Sequence, residues 1–218
     1  MATVAIVDVG IGNLRSVQKA VERAALDQNL SWEAVITPLP ERIVRADKIV
    51  VPGQGAFRDC AIALAGGIGD ALKSRIEGGT PFLGICLGLQ TLFPSSEEAP
   101  GYEGLSLFPG TNVRLPDGER DPVTEEAVKI PHMGWNRIEL RGGGHPYLAA
   151  SGGEGTYFYF THSYHSVPSD PSLLVATAQH GPFEVTAAIA KDNVFATQFH
   201  PEKSQAAGLA LLAAFLRS

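Results

Sequence analysis

The sequence predicts a three-layer α/β/α fold around a mixed, mostly parallel sheet, with an antiparallel extension in its second half. Two observations carry this. Short apolar runs alternate with helix-period segments over the first 90 or so residues, the pattern of parallel strands covered by helices on both faces. From Thr111 to Phe199 the chain then runs through short strand-like stretches joined by Gly/Pro/Asp-rich turns. With 218 residues, 44% of them hydrophobic and only 18% charged, the chain can bury a sizeable core and is not of disordered composition. No repeat, low-complexity tract or linker divides it, which predicts a single domain over residues 1–218.

The elements follow in order. Val4–Val7 is a strand stopped by Asp8, Gly10 and Gly12, and Asn13 is placed to cap the next helix. Leu14, Val17, Val21 and Ala24 mark that helix's apolar face. Strands are expected at Trp32–Thr37 and Lys48–Val51, the second ending at Pro52-Gly53-Gln54-Gly55. A helix from Arg58 is interrupted at Gly66-Gly67-Ile68-Gly69 and resumes over Asp70–Glu77, before a strand at Pro81–Ile85. Further strands are expected at Thr111–Leu115, Trp135–Leu140, Thr156–Thr161, Leu173–Thr177, Val185–Ala190 and Val194–Phe199. A closing helix carries Leu209, Leu212, Phe215 and Leu216 on one face.

Composition excludes several functions. Seventeen Lys+Arg against 23 Asp+Glu give a formal charge of −6 with no basic stripe, which argues against a nucleic-acid partner. No apolar run approaches the ~20 residues that a membrane span needs. Only two cysteines are present, without a C-x-x-C pair, and the opening residues lack a basic leader. A cytoplasmic protein with reduced thiols is the expectation.

Chemistry concentrates at Gly84-Ile85-Cys86-Leu87-Gly88-Leu89-Gln90. A G-x-C-x-G run between a strand and a helix is the setting of a nucleophile elbow. The central residue takes a strained conformation on a sharp turn, and glycines two residues either side remove side chains that would collide. Cys86 is thereby raised above the strand ends, where open α/β sheets bind ligands. The positive end of the following helix favours its thiolate, and the Leu87 N–H is free for an oxyanion. Cys60 has no such setting and reads as a core thiol.

The base comes from Phe199-His200-Pro201-Glu202, again at a strand end. Pro201 biases His200 toward an extended conformation, so His200 and Glu202 project to similar sides and the carboxylate can hold the imidazole's tautomer. A metal site built on this His-x-Glu, with His162 and His165 recruited, is disfavoured, because the partner P-C-x-x-C pattern is absent. Pro52-Gly53-Gln54-Gly55 leaves its amides open to a substrate as a second oxyanion donor, although alone it is only a turn.

Taken in order over essentially the whole chain, Pro52-Gly53-x-Gly55, Gly84-x-Cys86-x-Gly88-x-Gln90 and His200-x-Glu202 resemble the class I, triad-type glutamine amidotransferases, whose sheet is flavodoxin-like. Asp8-x-Gly10-x-Gly12-Asn13-Leu14-Arg15-Ser16-Val17, Pro131-His132-Met133-Gly134-Trp135-Asn136 and Tyr157–Tyr164 are similar to the branch that serves as glutaminase subunit of imidazole glycerol phosphate synthase. The resemblance implies catalysis by Cys86, His200 and Glu202, an oxyanion hole of Gly53, Gln54 and Leu87, and L-glutamine binding by Gln90, Glu98, His162, Ser163 and Tyr164. It implies no cofactor and no metal. The implied partner is a (β/α)₈-barrel cyclase subunit that receives the ammonia, with Trp135 near the contact. Gln54 departs from the family, which often has a small aliphatic residue there, and Phe93-Pro94 ends the helix after the elbow early. A related cysteine hydrolase, a glutaminase for another synthase such as that of pyridoxal phosphate, a nucleotide-binding module and an inactive subunit are the rival readings. Gly10-x-Gly12 lacks the third glycine of a dinucleotide fingerprint, Arg15 standing in its place.

Overall fold

The computed structural model describes residues 2–10 and 12–218; Met1 and Ile11 lie outside that description. β1 (Ala2–Val7) leads to α1 (Leu14–Asp27), whose first turn is capped by Asn13 accepting the Ser16 N–H. Then come β2 (Trp32–Thr37), the single turn α2 (Pro40–Ile43) and β3 (Lys48–Gly53). α3 (Phe57–Ala63) runs into α4 (Gly69–Glu77) across a distorted link at Leu64–Ile68, where Gly66 and Gly67 leave helical geometry as the glycine run predicts. β4 (Phe82–Cys86) ends at the elbow and enters α5 (Leu87–Gln90).

The second half supplies β5 (Gly110–Arg114), β6 (His132–Arg137), β7 (Glu139–Leu140), α6 (Pro146–Ala150), β8 (Tyr157–His162) and β9 (Tyr164–Pro168). It closes with β10 (Leu174–His180), β11 (Phe183–Lys191), β12 (Val194–Thr197) and α7 (Gln205–Arg217).

Eight strands form the main sheet in the order β2-β1-β3-β4-β12-β11-β10-β7. The first five are parallel, and β11, β10 and β7 extend the sheet antiparallel. Alternate side chains of the parallel strands feed two cores. Val4, Ile6, Val50 and Leu83 pack with Val17 and Val21 of α1 and Leu212 and Phe215 of α7. Ile49, Val51 and Phe82 pack with Phe57 of α3 and Leu72 of α4. Burial of each such large side chain stabilises by about 1.5–3 kcal/mol.

Two expected parts of the extension leave the main sheet. β6 pairs with β8 and β5 with β9, each pair a separate antiparallel ladder. The expected Trp135–Leu140 strand is split, because the fully buried Ile138 turns the chain from one sheet to the other. β9 lies outside the predicted strands: Tyr-His-Ser-Val-Pro has no apolar alternation, and its buried Ser166 is satisfied by Asn112 instead, Oγ donating to Oδ1 at 2.7 Å.

Candidate active site

Parallel register gathers the site at one edge of the sheet. Gly53, at the end of β3, is the direct neighbour of Cys86 at the end of β4. Thr197 of β12 sits beside Ile85, which brings His200, three residues on, to the same rim. Cys86 adopts φ 53° and ψ −103°, a conformation a non-glycine residue avoids. The flanking glycines make room for it. A Cβ on Gly84 would meet the Gly88 carbonyl oxygen at 2.7 Å, and one on Gly88 would meet the Val51 carbonyl oxygen at 1.9 Å.

α5 is a single turn, shorter than the helix expected after the elbow. A four-residue turn sums few peptide dipoles, so what it offers an anion is its free N–H groups and not a long macrodipole. The reason lies in the sequence: Leu92 and Phe93 close onto Leu89 and Gln90 in tight turns before Pro94, which has no N–H to continue a helix.

His200 is 1% exposed, and its Nδ1 lies 2.8 Å from Glu202 Oε1. The sequence argument expected an extended run to align the two. In fact only His200 is extended, at φ −105° and ψ 98°, and Pro201–Lys203 form a 3₁₀ turn that swings the carboxylate back under the ring. Ser204 donates to the His200 carbonyl at 2.7 Å, and the His200 N–H donates to Tyr159 on β8 at 2.9 Å, so the imidazole stands on a fixed backbone. Burial opposes a charge on His200, but the Cys86 sulfur and the Glu202 carboxylate outweigh it and push the imidazole up to about 10. His200 Nε2 has no hydrogen-bond partner among the described residues. Its approach to Cys86 is therefore looser than a formed bond, a gap that nucleophile–base pairs close as they react.

A cavity of about 320 Å³ opens over Cys86, lined by Gln54, Gly55, Leu87, Gln90, Glu98, Pro131 and Thr161–Tyr164. Every glutamine-contact candidate from the sequence therefore borders it. Gly53 does not: its α-carbon packs on Leu87, whose Cβ would lie 2.5 Å from a Gly53 Cβ. Glu98 Oε2 accepts the Phe57 N–H at 2.9 Å, which fixes the carboxylate at the wall. Gln90 Nε2 donates to the Tyr164 carbonyl at 2.9 Å.

Gln198 escaped the sequence reading, and His132 and Asn136 entered it only as members of a motif, with no role assigned. Gln198 is fully buried, and its Nε2 donates to Cys86 Sγ at 3.4 Å. The signal was its position two residues before His200 in an extended segment, hence on the same side. His132 and Asn136 form a chain behind the cavity. His162 Nδ1 donates to the Tyr164 carbonyl, leaving Nε2 to accept from His132 Nδ1 at 2.9 Å, while Asn136 donates to His132 Nε2 at 3.1 Å. Burial holds both rings neutral, His132 pushed down to about 3 and His162 well below the ordinary histidine value. Cys60 is packed in the core, and burial pushes its thiol up to about 12. Among the described residues, no group of three or more His, Cys, Asp or Glu could hold a metal ion, and no helix is long and apolar enough to cross a membrane.

The family model for class-I glutamine amidotransferases matches residues 5–218. The chain belongs to the class I glutamine amidotransferases. Within that family it is 44% identical to the imidazole glycerol phosphate synthase subunit HisH of Geobacter metallireducens, over 100% of this chain and 99% of the relative. It is 46% identical to the HisH subunit of Geobacter sulfurreducens, over 99% and 98% of the two chains. Solved structures share the amidotransferase fold at low identity. A chain of PurLQS from Thermotoga maritima superposes with TM-score 0.74 at 18% identity, covering 99% of this chain and 98% of that one. The glutaminase domain of Trypanosoma brucei CTPS gives 0.67 at 14%, covering 100% and 95%.

Proposed function

We propose that this glutamine amidotransferase is the glutaminase subunit of an imidazole glycerol phosphate synthase, hydrolysing L-glutamine to glutamate and ammonia for use by a cyclase subunit. The full-length identity to HisH subunits carries the reading. The thiol that opens into a polar cavity beside a buried His–Glu pair supports it.

Membership of the family implies the chemistry, and the geometry supports it. Cys86 Sγ attacks the carboxamide carbon, and the negative charge that develops on its oxygen is taken by backbone N–H groups of Leu87 and the Gly53–Gln54 peptide. His200, held in one tautomer by Glu202, delivers a proton to the departing nitrogen, which leaves as ammonia. His200 then activates a water that hydrolyses the glutamyl thioester and releases glutamate. Glu98 pairs with the substrate's α-ammonium, and Gln90, His162, Ser163 and Tyr164 hold the rest of the amino acid. No step calls for a metal or an organic cofactor.

The partner in this reading is a (β/α)₈-barrel cyclase that uses the ammonia to make imidazole glycerol phosphate and an aminoimidazole carboxamide ribotide. Its docking face is the outer side of the β6–β8 ladder. Met133 is 62% exposed, Trp135 47% and Tyr157 57%; their ladder reaches the cavity at Thr161 and His162 of β8 and at Pro131, the residue before β6. The chain acts as one glutaminase domain over residues 1–218, in the cytoplasm. The test is Cys86→Ala: glutamine hydrolysis is expected to vanish, while the complex with the cyclase still forms product from free ammonia. Appreciable glutaminase turnover in that variant would refute the reading.

A further inference from the structure

The polar groups behind Cys86 form a chain whose direction is fixed at one end. The Tyr164 carbonyl can only accept, so the Gln90 side-chain atom facing it at 2.9 Å is the donor Nε2. That same Nε2 lies 3.2 Å from Gln198, which must present its oxygen there, because two amide nitrogens would otherwise face each other. The Gln198 nitrogen is then left turned to Cys86 Sγ, at 3.4 Å. Neither glutamine can flip alone without breaking this sequence. Gln198 is fully buried and absent from the cavity wall, so it reaches substrate only through the sulfur.

We propose that Gln198 is a positioning residue for the nucleophile: its side-chain N–H hydrogen-bonds the Cys86 sulfur, fixes the direction in which it points and favours its thiolate. The proposal rests on the reading of Cys86 as the nucleophile. A donor aimed at sulfur from behind complements His200, since a hydrogen bond to the charged form of an acid favours that form. Gln198 also ties the sulfur to Gln90, which borders the cavity, so the filling of the cavity and the state of the thiol are linked by two hydrogen bonds.

The experiment compares wild type with Gln198→Met, which keeps the length and removes both polar atoms. The rate of alkylation by iodoacetamide is followed against pH; Cys60, buried and pushed up to about 12, stays unreactive. Loss of one hydrogen bond to a charged group is expected to move the acid limb of alkylation up by about one pH unit in this variant, and to lower kcat about tenfold with little change in KM. A residue that merely filled space would leave that limb in place, and an unmoved limb in a folded variant overturns the proposal. Wild type gives a measurement that needs no Gln198 variant: the Gln198 side-chain amide proton should shift in NMR as the thiolate forms, and should not in Cys86→Ala. A resonance blind to the thiol also overturns it. The two readings fail separately, because glutaminase activity in Cys86→Ala removes the nucleophile, whereas an unmoved limb removes only the role of Gln198.

Discussion

Replacing Gly88 by alanine tests the elbow directly. The new methyl carbon would stand 1.9 Å from the Val51 carbonyl oxygen and 2.9 Å from its carbon. Real contacts of this kind essentially never fall under 3.0 Å, so α5 and β3 must part by about 1.1 Å, the difference between 3.0 and 1.9. The two elements that separate are those carrying the Leu87 and Gln54 amides, with Cys86 between them. A misplacement of this size costs on the order of 10²-fold in rate when reacting groups must be aligned. Overpacking against backbone also destabilises, by about 3 kcal/mol, which lowers Tm by roughly 6–12 °C in a chain of this length. The assay is glutamate release with the cyclase partner present, together with a thermal melt. Gly66→Ala is the control, because a Cβ there meets nothing within 4 Å and the φ of −89° suits alanine. Wild-type turnover in Gly88→Ala would show that the glycine does not hold strand and helix together, and the steric account of the elbow would fall.

Glu202→Gln removes the carboxylate that helps hold the proton on His200. Losing a hydrogen bond to a charged group costs about 1.5–3 kcal/mol, so kcat is expected to drop roughly 10- to 150-fold. The alkaline limb of kcat/KM should move to lower pH, since the imidazolium now gives up its proton earlier; a limb that stays in place counts against the pairing. Glu98→Gln keeps an acceptor for the Phe57 N–H but loses the charge, and KM for glutamine is expected to rise about tenfold with kcat nearly unchanged, as uniform binding requires. An unaltered KM removes Glu98 from substrate binding. Fold stability should decline in mild acid. His132 is pushed down to about 3 and His165 to about 4 by burial, so below the unfolded value near 6.5 the unfolded chain binds protons that the folded one refuses. Each ring then removes about 1.4 kcal/mol per pH unit as pH falls from 6.5 toward those values. His200, pushed up to about 10, has the opposite sign and acts only as pH rises above 6.5. Urea midpoints between pH 7 and 5 measure the effect, and a flat profile would contradict the buried neutral histidines.

The parts of the site legible in the sequence are those with a local steric cause. Gly84 and Gly88 are required by backbone oxygens within 3 Å of where their Cβ atoms would be, and any chain with this elbow must leave those positions bare. The break at Gly66-Gly67, where Gly67 takes a positive φ, and the Asn13 cap are likewise matters of a few neighbouring residues. Strands β1 to β4 were legible because helices on both faces demand continuous apolar runs. Beyond Thr111 that rule lapses. The strands there have one polar face or a buried polar group, and which ladder they join depends on partners that periodicity does not specify. β9 shows why: Ser166 is buried because Asn112 and Thr186 satisfy it across the fold, a reason absent from its own neighbourhood.

The same distinction separates His200 from Gln198. A histidine followed by Pro-Glu advertises an oriented base in three residues. A glutamine two positions earlier says only that it shares His200's side of the strand, and does not name the sulfur as its partner until β12 is known to lie beside β4, in the register that pairs Thr197 with Ile85. Only then does its amide meet the sulfur, and only the Tyr164 carbonyl, brought in by β9, decides which end of the amide faces it. The thiol's environment is therefore set by three separate stretches of chain. Two, Cys86–Gln90 and Gln198–Glu202, carry the local motifs. The third, at Tyr164, acts through long-range register, as does the pairing of Gln90 with Gln198. Substitutions that shift β9 against β5 should accordingly disturb Cys86 without touching any residue of the two motifs.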